Sequence, residues 1–178
     1  MFRTIVIFGA IGGLIVCSPF VVLVTTGRYI GEGSYLFGYL LMLIALSMVF
    51  VGVKRVRDRD GGGVIRFLPA LGVGLGISVV ASLFYTIGWE LTLHATHFAF
   101  LDTYSAGIIE VQRAKDASPA AMARAAAKAA AFRTQYANPL YRLPEAFIEI
   151  FPVGVVISLI SAAVLRNSRI LPARRAAA

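Results

Sequence analysis

Four long apolar stretches decide what this 178-residue chain can fold into. A helix that crosses a bilayer core about 30 Å thick needs roughly 20 apolar residues. Each stretch has about that length, and Glu149, at the edge of the fourth, is the only charged residue inside them. The stretches are Thr4–Thr26, Ser34–Val53, Phe67–Trp89 and Phe147–Leu165. We therefore predict an all-α integral membrane protein, folded as a four-helix bundle.

Composition and charge agree with a membrane protein. The chain is 58% hydrophobic, against about half in a typical soluble protein. The net charge of +8 comes from basic residues that gather at the predicted helix ends, where they bind lipid headgroups and set topology. Basic stripes interleaved with aromatic residues, the pattern of nucleic-acid binding, do not occur in the sequence. We therefore expect membrane lipids as partners and no nucleic acid.

The predicted organisation is a single domain over residues 1–178. Its membrane helices are expected at about 4–26, 34–53, 67–97 and 145–166. The connection after the second helix is rich in basic residues: Lys54, Arg55, Arg57, Arg59 and Arg66. Short loops rich in Lys and Arg stay cytoplasmic. With four crossings, the N- and C-termini are then cytoplasmic as well, and these basic side chains also face anionic headgroups.

The long segment between the third and fourth membrane helices, about 98–138, is predicted to form an extracytoplasmic helical hairpin. Ser118-Pro119 is a typical helix start, the alanine-rich stretch Ala120–Tyr136 favours helix, and Asn138-Pro139 ends it. We expect the third helix to run without a break to Phe100, which would hold the hairpin upright. The alternative is an amphipathic helix that lies flat in the headgroups.

Small residues recur at four-residue spacing, which allows close helix contact in lipid. They are Gly9, Gly13, Gly72, Gly76, Gly154 and Ser158. We interpret them as packing positions within one chain, with a homo-oligomer interface as the alternative.

Two groups of ionisable residues are expected at the outer membrane interface. Each group occupies one face of its helix: Glu90, His94 and His97 on the third, Glu145 and Glu149 on the fourth. Carboxylates with imidazoles can bind zinc or another divalent metal, and a histidine beside carboxylates can titrate near neutral pH. The alternative is structural, because carboxylates stabilise a helix N-terminus and Arg142 can pair with one of them. No nucleophile motif, paired-cysteine motif or cofactor motif is evident, so we expect no resident cofactor other than such a metal.

Two segments carry a resemblance to a known family. They are Val51–Asp58 followed by Gly61–Gly63, and Leu143–Gly154. Both resemble signature regions of a bacterial membrane family, domain of unknown function 4199. The resemblance implies a multi-pass membrane protein with four helices in this order and a long third connection. It implies no activity and no role for any residue.

Our first functional hypothesis is a membrane protein without enzymatic activity, acting as an accessory, scaffold or partner-binding subunit in a bacterial inner membrane. The hairpin, over Thr103–Tyr136, is then the docking surface for a protein partner. The alternative is a small oligomeric transporter or channel component that uses Glu90, His94 and Glu149 as a polar path.

Overall fold

Six α-helices make up most of the computed structural model, which describes residues 1–26 and 35–173. Four of them are long and apolar enough to cross a membrane. In chain order the helices are α1 (Phe2–Thr26), α2 (Tyr35–Arg59), α3 (Phe67–Ala95), α4 (Ala99–Arg113), α5 (Pro119–Ala137) and α6 (Pro139–Leu165). No strand occurs in the described ranges. The predicted all-α membrane class is confirmed.

The boundaries of α5 follow the capping signals in the sequence. The Ser118 hydroxyl accepts a hydrogen bond from the Ala121 amide at 3.4 Å, and Pro119 is the first helical residue. Asn138 ends α5 and also caps α6, where its Oδ1 accepts from the Leu140 amide at 3.0 Å. The last membrane helix thus begins at Pro139, six residues before the predicted start at 145.

The four membrane helices pack against one another. α1 packs on α2 and α3, α6 packs on the same two helices, and α2 contacts α3. The core side chains Leu46, Ile77 and Ile150 are each 1% exposed. Large apolar side chains such as Leu14 and Leu40 point outward. In lipid such an outer surface faces the acyl chains, whereas in water it would drive association.

Small residues bring α3 and α6 into close contact. A Cβ added to Gly74 would lie 2.8 Å from Ser158 Cβ, and one added to Gly154 would lie 2.7 Å from Ser78 Cβ. The two serine hydroxyls are 3.2 Å apart, and each also bonds to the glycine carbonyl four residues earlier. The two helices therefore interlock through a reciprocal glycine–serine contact in the membrane interior.

Most of the other small residues singled out in the sequence lie at contacts within the chain. Gly9 and Gly13 on α1 face α3, and a Cβ on Gly13 would lie 2.3 Å from Phe84 Cβ. Gly76 faces α1, with the nearest atom 3.0 Å from its added Cβ. Gly72 differs, because no atom of the described residues lies within 4 Å of a Cβ built there. Its predicted role in helix packing therefore has no support from the contacts of the described part of the chain.

The basic connection after α2 is more ordered than expected, because α2 continues through Arg59. Arg57 is fully buried. Its Nη1 donates to the Ile170 carbonyl at 2.9 Å, its Nη2 donates to the Leu171 carbonyl, and its Nε donates to Asp58 at 2.7 Å. The expectation that Arg57 faces lipid headgroups is therefore wrong. Its guanidinium ties α2 to the segment after α6.

The other basic residues of this region differ in exposure. Lys54 is half-buried and pairs with Asp58 one turn later. Arg55, Arg59 and Arg66 are exposed. The Arg55 guanidinium lies 5.9 Å from the centre of the Phe8 ring, and all three exposed side chains can reach headgroups. We call this end of the membrane helices the basic end.

The third membrane helix is shorter than predicted. It ends at Ala95, and His97 and Phe98 adopt left-handed backbone angles with φ of 49° and 60°. The Phe98 amide bonds to the Leu93 carbonyl at 2.7 Å, closing the turn before α4 begins at Ala99. The expectation of one continuous helix to Phe100 is therefore wrong. Nothing in the local sequence marks the break, since neither left-handed residue is glycine.

Candidate functional site

The base of the hairpin is held by one buried arginine. Arg142 of α6 is 4% exposed, and its Nε donates to Glu90 Oε2 at 2.8 Å while its Nη2 donates to Glu90 Oε1. Its Nη1 donates to the Ala137 carbonyl at 2.8 Å. Its guanidinium carbon also lies 5.2 Å from the centre of the Phe98 ring. A single side chain thus joins α3, the turn before α4, the end of α5 and α6.

Aromatic residues also stabilise the base of the hairpin. Trp89 Nε1 donates to the Tyr136 hydroxyl at 2.7 Å. The Trp89 ring packs on Phe20 of α1 at 5.1 Å and on Phe100 of α4 at 4.9 Å. Burial raises the pKa of the Tyr136 phenol above its usual value, and the nearby carboxylate of Glu149 adds to the rise. Tyr136 is therefore a neutral hydrogen-bonding group at physiological pH.

Above the base, aromatic rings pair α4 with α5. Tyr104 and Phe132 lie 4.6 Å apart, Phe100 and Tyr136 lie 5.9 Å apart, and Phe132 stacks on Tyr136 at 5.1 Å. Such pairs contribute about 0.5–1.5 kcal/mol each beyond their buried area. The four rings therefore fix α4 and α5 against each other near the membrane helices.

The two helices also line a groove of about 680 Å³, which we call the hairpin groove. It is lined by Thr103, Tyr104, Gly107, Ile108, Val111 and Gln112 from α4, and by Ala121, Arg124, Ala125 and Lys128 from α5. Tyr104 and Val111 are about half exposed. Arg124 and Lys128 are exposed too and form no ion pair within the described part of the chain. The groove therefore combines apolar surface with positive charge.

The five residues considered as metal ligands do not converge on one point. Both oxygens of Glu90 are taken by Arg142, and His94 Nδ1 hydrogen-bonds the Glu90 carbonyl at 2.8 Å. Glu149 accepts from the Tyr85 hydroxyl at 2.8 Å. Over residues 1–26 and 35–173, no three His, Cys, Asp or Glu side chains could together hold a metal ion. The geometry does not support the metal hypothesis.

The other three ligand candidates, His97, Glu145 and Glu149, take no part in the Glu90–Arg142 ion pair. His97 forms part of the left-handed turn after α3. Glu145 and Glu149 line a second, smaller cleft of about 320 Å³ beside Tyr136. Of the three residues of the alternative polar path, Glu90 and His94 contact each other, whereas Glu149 accepts from the Tyr85 hydroxyl. The hydrogen bonds and ion pairs of the described residues do not link Glu149 to the other two.

Sequence reasoning found the residues at the base but not all of their partners. Arg142 was expected to pair with Glu145 or Glu149, whereas its partner is Glu90 on another helix. The turn at Phe98 and the donor role of Trp89 were missed. The sequence did offer one signal for the contacts at the base. Phe100 and Tyr136 are aromatic and lie near the two ends of the segment, where the rings of a hairpin's two helices can come into contact.

Comparison with known protein families gives a match over most of the chain. The family described as "Protein of unknown function (DUF4199)" matches residues 6–167, most of the chain. No curated protein and no solved structure matches.

Proposed function

This chain belongs to the family described as "Protein of unknown function (DUF4199)", and from that premise we propose that it is an accessory membrane subunit that presents its hairpin groove to a protein partner. One observation carries the proposal. The α4–α5 hairpin is fixed at its base by Arg142 and the aromatic contacts, yet its far part displays an exposed apolar and basic groove. A rigid, preorganised surface binds with a smaller loss of conformational entropy.

The composition of α5 argues for a protein partner over a position flat on the bilayer. Helices that lie in the headgroups need bulky apolar residues on one exposed face. The bulky rings of α5, Phe132 and Tyr136, are half-buried and contact α4 instead. The exposed positions of α5 hold mainly alanine and charged residues, such as Arg124 and Lys128. Alanine offers little area to lipid but lets another helix approach closely.

We propose that the protein lies in a bacterial inner membrane with the basic end in the cytoplasm and the hairpin outside. The exposed side chains of Arg55, Arg59 and Arg66 support this orientation through the positive-inside rule. In a Cys17→Ala background, Lys115→Cys should react with a membrane-impermeant maleimide in intact cells, because Lys115 lies at the hairpin tip. Arg59→Cys should react only after lysis. The reverse pattern would exclude the orientation.

Site-specific photo-crosslinking in cells tests the docking function. A photoreactive phenylalanine at Val111, in the groove, should give one discrete product with a second protein. The same group at Ile160, which is exposed on α6, should not give that product. Gly107→Phe should abolish the product by filling the groove, since no atom of the described residues lies within 4 Å of a Cβ built at Gly107.

Lys115→Glu serves as the matched surface control, because Lys115 is exposed but does not line the groove. It should leave the product unchanged. Identical products from Val111 and Ile160, or a product that survives Gly107→Phe, would exclude groove docking.

A further inference from the structure

The hairpin groove has the length of a short helix. From Thr103 to Gln112 the α4 side spans ten residues, and the nine steps between them correspond to about 14 Å or two and a half turns. Helices offer no free strand edge, so an extended peptide cannot add to this surface by backbone pairing. A helix laid between two helices contacts them through side chains alone. The shape of the groove therefore favours a helical ligand.

We call the small and apolar residues that line the groove its floor. Ala121 and Ala125 come from α5, and Gly107 and Ile108 come from α4. Small residues permit a short distance between helix axes. Tyr104 also lines the groove, with about half of its surface exposed. The floor thus suits the apolar face of an amphipathic helix.

The charge of the groove comes from two cations. No acidic residue is among the residues that line it. Two carboxylates of the hairpin are already paired, Glu110 with Arg113 and Asp102 with Arg133, and a third, Asp116 in the turn at the tip, does not line the groove. Arg124 and Lys128 lie one turn apart on α5 and remain available for a ligand. A complementary ligand carries carboxylates beside its apolar face.

We propose that the hairpin groove binds an amphipathic helix with an acidic flank, contributed by the protein partner; this identification rests on the proposed docking function. Apolar residues of the ligand helix contact the floor, and its carboxylates pair with Arg124 and Lys128. A concave groove between two helices matches a helix better than it matches the flat surface of a bilayer.

A peptide-binding assay on the full-length protein in nanodiscs of zwitterionic lipid tests this identification. The probe is a fluorescent synthetic peptide of about 18 residues, with leucine and alanine on one helical face and glutamate on the other. A matched peptide carries lysine in place of each glutamate. Fluorescence anisotropy should show the acidic peptide binding on the order of tenfold more tightly, with an affinity that falls as salt increases.

Two variants separate charge from shape. The double variant Arg124→Glu, Lys128→Glu should reverse the preference between the peptides. Gly107→Phe should weaken both peptides by filling the groove without any change of charge. Lys115→Glu, outside the groove, should preserve the acidic preference.

Equal affinity for both peptides, or acidic binding that Gly107→Phe leaves unchanged, would overturn the proposal. Displacement of the acidic peptide by empty nanodiscs of anionic lipid would overturn it in favour of a membrane surface. If crosslinking from Val111 identifies a partner but the peptides show no charge preference, the docking function stands and the acidic helix is wrong. If crosslinking from Val111 also fails, both the docking function and the acidic helix are wrong.

Discussion

Removing the two partners of the Glu90–Arg142 ion pair separately should destabilise the protein by unequal amounts. The Arg142 side chain is 5% exposed, whereas that of Glu90 is 25% exposed. Glu90→Leu leaves a buried guanidinium without its carboxylate, which costs about 3–5 kcal/mol. Arg142→Met leaves a carboxylate that water can reach, so the loss should be nearer the value of a charged hydrogen bond, about 1.5–3 kcal/mol.

The double variant Glu90→Leu, Arg142→Met leaves no unpaired charge at the base. Replacing a buried ion pair by apolar residues of similar size is often close to neutral. We therefore expect a loss within about 1 kcal/mol of zero for the double variant. The two single losses together come to about 4.5–8 kcal/mol, so their sum should exceed the double loss by at least about 3.5 kcal/mol, a few hundredfold in the unfolding equilibrium.

The protein contains its own probe for this measurement. Trp89 is the single tryptophan of the chain and lies beside the ion pair in sequence. Its fluorescence during a titration of mixed micelles with a denaturing detergent should report unfolding at the base. Arg113→Met is the control, since the Arg113–Glu110 pair is about two-thirds exposed on both sides and contributes little. Equal single losses, or a double loss equal to their sum, would refute a coupled buried pair.

Three further outcomes follow from contacts described above. Gly13→Ala should lower the free energy of unfolding by about 1–3 kcal/mol, because the added methyl group would overpack the contact with α3. Gly72→Ala should leave the free energy of unfolding unchanged or raise it slightly. Thermal unfolding in detergent measures both variants. Arg57→Met should lower the melting temperature while Arg59→Met, on the exposed surface, should not; equal shifts would contradict the buried tie. The Tyr136 phenol should titrate above 10.0, measured as the tyrosinate absorbance lost in Tyr136→Phe. Because the folded state keeps a proton that the unfolded chain releases, stability should fall as pH rises from 10 through the folded pKa.

The membrane helices could be predicted because the signal is local. The length of each apolar stretch can be read directly from the sequence, and Ser118 and Asn138 are residue types that cap helices. Twenty apolar residues in a row leave few alternatives to a membrane helix. The fold class therefore followed from the sequence without knowledge of any tertiary contact.

The buried arginines could not be predicted in the same way. Arg57 bonds to carbonyls 113 and 114 residues later, and Arg142 pairs with a carboxylate 52 residues earlier. Spacing along one helix gives no information about such partners. The turn at His97 was missed for a related reason, since tertiary contacts at the base select a backbone conformation that the local residues disfavour.

The tie made by Arg57 also bears on how the molecule is assembled during synthesis. Its two carbonyl acceptors are made 113 and 114 residues after it, which at roughly 5–20 residues per second is a wait of about 6–23 s. During that interval its Nη groups need other hydrogen-bond partners such as water, although the neighbouring Asp58 can already accept from Nε. In a nascent chain that ends before residue 170, the Nη groups of Arg57 lack the two carbonyls to which they donate in the folded protein. The contact between α2 and the segment after α6 can therefore form only after the last membrane helix has been synthesised.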